Sequence, residues 1–546
     1  MTTTNLSVLL FFCFIITSTS FCQDVERKLP DGWENIVYGG RFMDRFAPLP
    51  KIEEKTSETW GAQGVKPRYI KNGIEDPTWS YWGGNIRLLE DNKYHLFVCR
   101  WAENAVKGHK EWQRSNVVHA VADHRFGPYS VVNEVGKGHN PEWFITKEGK
   151  FVIYVIKGFY IADSVNGPWK YHNIDFDPRD RAVIERLSNL SFAKREDGSM
   201  LMVCRGGGIW VSKNGVSTWY QVSNRSVYPK VEGRFEDPVV WKDHVQYHLI
   251  VNDWLGRIAW FLRSKDGVHW TVDDGQAYQP GIAFYNDETK ENWYKFERMK
   301  VLQDEYGRAI QANFAVIDTL KKQDLGNDNH SSKNISIPLK VGRLITIQNE
   351  KRIDVKTKKI ILEIKAEEGF NPNTDLDLSS LRLGASEEVN YGRGAKAIKI
   401  QAKGNNAIIT FDGKGNGITN EHFAAKLLGK YKNGKLLFGY SRLPKVAYQE
   451  ALLSTLKPKI INEHEVEIEV QNFGQVNSNK SNIKIETVRY NKTIKLGKTI
   501  IPPLKPFEKV NIKINTKEPI SRDSKNNFIV TIDDDQKTVF GNLNTL

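Results

Sequence analysis

Between residues 92 and 307 one short phrase returns at intervals of roughly fifty residues, and this repetition limits the possible folds more than any other feature. Its first half is a turn followed by an alternating strand. It is seen at Asn92-Lys93-Tyr94-His95-Leu96-Phe97, Glu148-Gly149-Lys150-Phe151-Val152, Glu196-Asp197-Gly198-Ser199-Met200, Asp243-His244-Val245-Gln246-Tyr247 and Glu305-Tyr306-Gly307-Arg308. The second half is a Gly-centred turn closed by an aromatic: Phe126-Gly127-Pro128-Tyr129, Asn166-Gly167-Pro168-Trp169, Asn214-Gly215 with Trp219, and Asp266-Gly267 with Trp270. These glycines lie 40, 48 and 52 residues apart. Strand-period repeats of about 40–50 residues are the mark of propeller blades, small antiparallel sheets that bury their faces on their neighbours. The chain is therefore predicted to be all-β, with a five-bladed β-propeller over residues 75–334 closed or covered by residues 23–74. A solenoid is the other packing that such repeats allow.

All 15 tryptophans precede residue 294, so the composition changes along the chain. A polar stretch from Lys321 to Asn334 marks the expected boundary. Beyond it, Lys358–Lys365 and Ala407–Gly413 alternate like half-buried strands, which predicts a β-sandwich over 335–450. Glu465–Asn472 and Lys509–Ile514 repeat the pattern, which predicts a second, immunoglobulin-like sandwich over 451–546. Without tryptophan to stack on sugar rings, the last module reads first as a spacer.

Residues 6–16 form an apolar run too short to cross a bilayer, followed by small and hydroxylated residues. Residues 1–22 are predicted to be a signal peptide and the mature chain to be exported, periplasmic or secreted. Removing the leader leaves Cys99 and Cys204, each at the end of a strand-like run, so a disulfide framework and a Cys-based metal site are both excluded. The formal net charge is +13. Residues 1–330 hold 42 basic and 42 acidic side chains against 36 and 23 in residues 331–546, so the excess is C-terminal. An anionic substrate of the propeller must then be held by local arginines rather than by a global field. No basic-aromatic motif points to nucleic acid.

The phrase Glu236-Asp237-Pro238-Val239-Val240-Trp241, the Gly-Pro-Tyr and Gly-Pro-Trp turns, and Glu297-Arg298 before Asp304–Arg308 resemble the five-bladed glycosidases of families 43 and 117 over about residues 75–330. The resemblance implies an Asp on the inner strand of the first unit as the base that activates water. At that position stands Gly83, within Trp82-Gly83-Gly84-Asn85, and the second unit has His139-Asn140-Pro141. Inverting hydrolysis needs two carboxylates roughly 6.5–9.5 Å apart. Loss of the base costs about 10²–10⁴ in rate.

A funnel short of acids but supplied with His, Arg and Asn suits β-elimination from a uronic acid. Neutralising the C6 carboxylate makes the C5 proton removable, and an acid helps the C4 group leave. Tyr38–Phe46, Trp79–Asn85, Phe97–Trp101 and Gly138–Glu142 are similar to exported propeller proteins of marine Bacteroidetes polysaccharide-utilisation systems. That likeness implies a dehydratase acting on ulvan oligosaccharides, or a lyase if the leaving group is another sugar.

His139 is the first candidate base, with His248 and His119 next; each has a structural alternative within a strand. Asp237 would orient a His or Arg, and Glu236 stands beside it. Arg100, Arg205, Arg257 and Arg298 are candidates for carboxylate or sulfate, which a planar guanidinium binds bidentately. Asn85, Asn140 and Trp101 complete the expected substrate contacts. No cofactor and no metal are expected. The rival expectations are a glycoside hydrolase that recruits Glu236 and Glu142, and a propeller that binds sugar without turnover.

Overall fold

A computed structural model describes residues 25–541, apart from 52, 54, 58–62, 186, 490–491, 521–526 and 534–535. The expected signal peptide lies outside the described residues. The repeats fold as five consecutive antiparallel sheets. Sheet I holds Trp79–Leu88, Tyr94–Ala102, Asn116–Ala122 and Ser130–Lys137; sheet II holds Glu142–Ile145, Phe151–Val155, Gly158–Ala162 and Lys170–Asn173. Sheet III holds Ser191–Lys194, Met200–Val203, Ile209–Ser212 and Trp219–Gln221, with Phe176–Asp177 added in parallel at its edge. Sheet IV holds Phe235–Lys242, Tyr247–Asp253, Ile258–Ser264 and Thr271–Tyr278, and sheet V holds Lys295–Gln303, Ala309–Ile317 and Ser332–Pro338.

The first strand of each sheet neighbours the first strands of the sheets before and after it, and that of sheet V returns to that of sheet I. The five sheets thus form a closed, propeller-like ring. Each gap is filled by an apolar cluster drawn from both neighbours. Phe97, Trp143 and Ile153 join I to II; Tyr154, Phe192 and Trp219 join II to III. Leu201, Val240 and Trp260 join III to IV, Trp241, Phe261 and Phe314 join IV to V, and Leu302 with Tyr81 and Ile86 closes V on I. Large aromatics fill the wedge between radiating sheets, which is why the tryptophans gather in this region.

Sheet V does not stop at residue 334. Its third strand, Ser332–Pro338, runs across the expected boundary and pairs with Ala309–Ile317. N-terminal residues finish its edge through the bridges Ile74 to Asn334 and Phe46 to Leu339.

The next region differs from the expected sandwich. Its strands, Ile345–Ile347 to Leu436–Arg442, form one seven-stranded sheet that curls almost shut around an aliphatic core of Ile360, Leu362, Ile409 and Leu427. The Arg343 amide donates to the Phe438 carbonyl at 2.7 Å and the Ile347 amide to Ser441 Oγ at 2.9 Å, bringing the two ends together. From Leu453 to Phe540, two four-stranded sheets share a core that includes Val466, Ile468, Ile485 and Phe528.

Both C-terminal regions grip turns at one end of the ring. Arg442 reaches the Val245 carbonyl at 3.0 Å and Glu196 at 2.7 Å; Arg308 donates to the Gly342 carbonyl at 2.9 Å; Arg195 donates to the Phe473 carbonyl at 2.9 Å. All of these ring residues lie in or beside turns that link a first strand to a second. The opposite end of the ring carries the starts of the inner strands.

Candidate active site

Each inner strand begins with the same backbone device. Gly83, Asn140, Asn189, Asp237 and Arg298 have positive φ of 69°, 54°, 50°, 55° and 52°. In sheets I, IV and V the residue sits in a break of strand register, and in sheets II and III it stands two places before the strand. A left-handed residue re-aims the chain, so three layers of side chains line the ring axis. The residues before the kink are Trp82, His139, Ser188, Glu236 and Glu297. The kink residues come next, and two places later follow Asn85, Glu142, Ser191, Val239 and Lys300.

The lowest layer ties the sheets together. Asn85 accepts from the Trp143 amide at 2.8 Å and donates to the Trp143 carbonyl at 2.9 Å. Glu142 accepts from Ser191 Oγ at 3.1 Å and from the Phe192 amide at 3.0 Å, and is ion-paired to Lys300. Asn85 is therefore spent on joining sheets I and II, and Glu142, offered as a recruited acid, is sealed below the kink.

In the kink layer Asn140 Nδ2 donates to Asn189 Oδ1 at 2.8 Å, and Arg298 Nη1 donates to Asp237 Oδ1 at 3.0 Å. Asp237 and Arg298 are 2% and 1% exposed, so this ion pair is fully desolvated.

The upper layer and the adjoining Asp237 gather a cluster of carboxylates. Single carboxylate oxygens of Glu236, Asp237 and Glu297 lie within 4.8 Å of one another. Arg205 Nη2 is 2.8 Å from Glu236 Oε2, and Lys321, whose ammonium also lies 4.8 Å from the Trp82 ring centre, pairs with Glu297. Burial, then the charge of Asp237, pushes the Glu236 carboxyl up to about 7, so it keeps its proton near neutrality. Glu297 Oε1 is buried and has no hydrogen-bond partner. These three carboxylates could hold a metal ion, but each already faces a cation, so a metal would have to displace Arg205, Arg298 and Lys321.

His139 meets this layer from sheet II. Its Nδ1 lies 3.0 Å from Ser115 Oγ and 3.3 Å from Cys99 Sγ, with the Trp112 ring 4.6 Å away. Burial, then the charges of Arg298 and Lys321, holds its pKa well below the ordinary imidazole value, so it is neutral. Trp101 is buried against His109 and His139. Arg257 stacks on Tyr294 at 4.7 Å.

Other candidates lie elsewhere. His119 is 0% exposed, 2.8 Å from His95 and stacked on Phe97 in the gap between sheets I and II. His248 pairs with Asp243 at 2.8 Å and stacks on Trp241, toward the C-terminal region that supplies Tyr440. Arg100, near the end of the second strand of sheet I, lies 4.1 Å over Trp79 and 3.7 Å from Glu134. The sequence reading passed over Lys321 and Asn189. Asn189 carries a usable signal, since it precedes its strand by two residues as Asn140 does.

No protein-family model and no curated protein matches this chain. Among solved structures, a glycoside hydrolase shares 11% identity over 81% of this chain and 95% of its own, with a TM-score of 0.34. The GH43 protein BlXynB of Bacillus licheniformis shares 10% identity over 85% and 89%, with a TM-score of 0.32. A protein of unknown function from Dyadobacter fermentans shares 10% over 64% and 100%, with a TM-score of 0.30. Overlap at this level assigns no residue a role.

Proposed function

We propose that the ring is a five-bladed propeller enzyme that cleaves a glycosidic bond in an acidic oligosaccharide, with Glu236 donating a proton to the leaving oxygen. The carrying observation is one carboxyl held protonated up to about pH 7 in the same layer as a second carboxylate. Glu297, whose Oε1 lacks a partner, is that second group. Arg205 and Lys321 flank both acids and supply positive charge for a sugar carboxylate or sulfate.

A second reading, β-elimination with loss of water or sugar, is favoured by one observation. The kink position of sheet I is Gly83, so that strand brings no carboxylate, whereas neutral His139 can accept a C5 proton. Ulvan oligosaccharides with saturated ends, and neutral nitrophenyl glycosides, separate the readings. New reducing ends without ultraviolet absorbance mean hydrolysis. Absorbance of a conjugated unsaturated uronate means elimination, with loss of one water and no shortening marking a dehydratase. Binding without either product would leave a sugar-binding propeller.

A further inference from the structure

Gly83 differs from the other four kink residues in bringing no side chain to the ring axis. An ideal Cβ built on it would meet nothing closer than 3.7 Å, and its three nearest atoms are Arg298 Nε, Asn140 Cα and Asn140 Oδ1. The missing side chain of Gly83 thus leaves a slot about one heavy atom wide, walled by the Arg298 guanidinium on one side and on the other by Asn140, whose buried Oδ1 also has no hydrogen-bond partner. Arg298 spends Nη1 on Asp237, while its Nε and Nη2, both buried, have no hydrogen-bond partner. Burying a charged donor without an acceptor costs more than burying a satisfied one.

Arg205, Arg298, Lys300 and Lys321 face Glu236, Asp237, Glu142 and Glu297 one to one. We propose that the slot between Gly83 and Arg298 is an anion site, taking one negatively charged atom that accepts from Arg298 Nε or Nη2. A chloride ion and a carboxylate oxygen of a sugar share this chemistry. The inference stands on slot geometry and does not depend on which bond the enzyme cleaves.

The test is thermal melting of the full chain at fixed ionic strength, with a bulky sulfonate as reference anion replaced in turn by chloride, formate and sodium glucuronate. Wild-type protein is expected to melt a few degrees higher in the anion that fills the slot. A rise in chloride and formate means a free ion; a rise in glucuronate alone means the sugar delivers it. Gly83→Asp, which places a carboxylate against Arg298, should melt higher in the reference buffer and lose the response. Gly83→Asn should lose the response without gaining the rise. Both residues suit the backbone, because Asn140, Asn189 and Asp237 hold the same positive φ at the equivalent positions. No shift in any anion for the wild type, or an unchanged response in Gly83→Asp, overturns the proposal. Because melting needs no turnover, that failure would leave the proposed acid chemistry untouched.

Discussion

Glu236 and Asp237 are neighbours in sequence with opposite surroundings. Asp237 turns inward onto Arg298, whereas Glu236 keeps a partly open face and is discharged by burial and by the charge beside it. If Glu236 is the proton donor, Glu236→Gln should lower turnover of a natural linkage by about 10²–10⁴ while leaving the melting temperature near that of the wild type. Aryl glycosides with acidic leaving groups need little protonation, so the variant should spare them. Wild-type turnover of the natural linkage should fall as pH rises through about 7, where the acid loses its proton, and the variant should lose that limb. Equal loss on both substrates would assign Glu236 a binding role instead. The position of the Glu236-Asp237 pair and of His139 near the ring axis is legible because each stands at or just before the start of an inner strand. His119 and His248 misled because strand alternation gives a side chain a face but not the sheet that covers it. Lys321 could not be read, since it reaches Glu297 from a loop 24 residues further on.

At the scale of elements, the polar stretch that looks like a linker is part of the ring. It carries Lys321 to the site and returns as the third strand of sheet V. Its anchor is a buried acidic pair. Glu103 accepts from Ser80 Oγ at 2.5 Å and Ser331 Oγ at 2.7 Å, while Asp324 accepts from Ser332 Oγ at 3.3 Å. Burial, with the charge of Asp328 added, raises Glu103 to about 7; burial, then the charge of Glu103, raises Asp324 to about 8. Both folded values exceed the ordinary carboxylate range, so the stability they contribute is full below that range and is lost as pH rises through about 7 and about 8. The melting temperature should fall from about pH 4, where the unfolded carboxyls ionise, to about pH 8 and then level off, and Glu103→Gln with Asp324→Asn should flatten that fall. An unchanged slope would mean that the pair is already ionised. The repeats made the sheets legible because each turn phrase marks one sheet. They could not show whether the later alternating strands stack as two layers or curl into one sheet, because inward and outward residues alternate in both.

Across the whole molecule, chemistry and charge are kept apart. Residues 1–330, which include the ring, carry equal numbers of basic and acidic side chains, and the regions beyond them hold the basic excess while gripping turns at the end away from the starts of the inner strands. Arg179 secures one of them: it is 1% exposed and donates to Glu469 Oε1 at 2.6 Å and to the Ser454 carbonyl at 3.2 Å, and because Glu469 would keep Lys509 at 3.0 Å, its loss should cost about 1.5–3 kcal/mol through the lost charge-assisted hydrogen bonds. Arg179→Ala should therefore free residues beyond 453 to limited proteolysis before the ring melts. The exposed lysines on the strand Lys492–Ile501, Lys492, Lys495 and Lys498, face solvent rather than the ring. A surface of this kind attracts polyanions through a field that falls off over about 8 Å at physiological salt. The full chain should be retained on an immobilised sulfated polysaccharide at low salt, released as salt rises, and pass unretarded over a neutral one. Reversing the three lysines to Glu should shift release to lower salt without changing turnover of a short soluble oligosaccharide. A parallel loss of both would tie the basic surface to the site itself, and unchanged retention would move the contact to the ring.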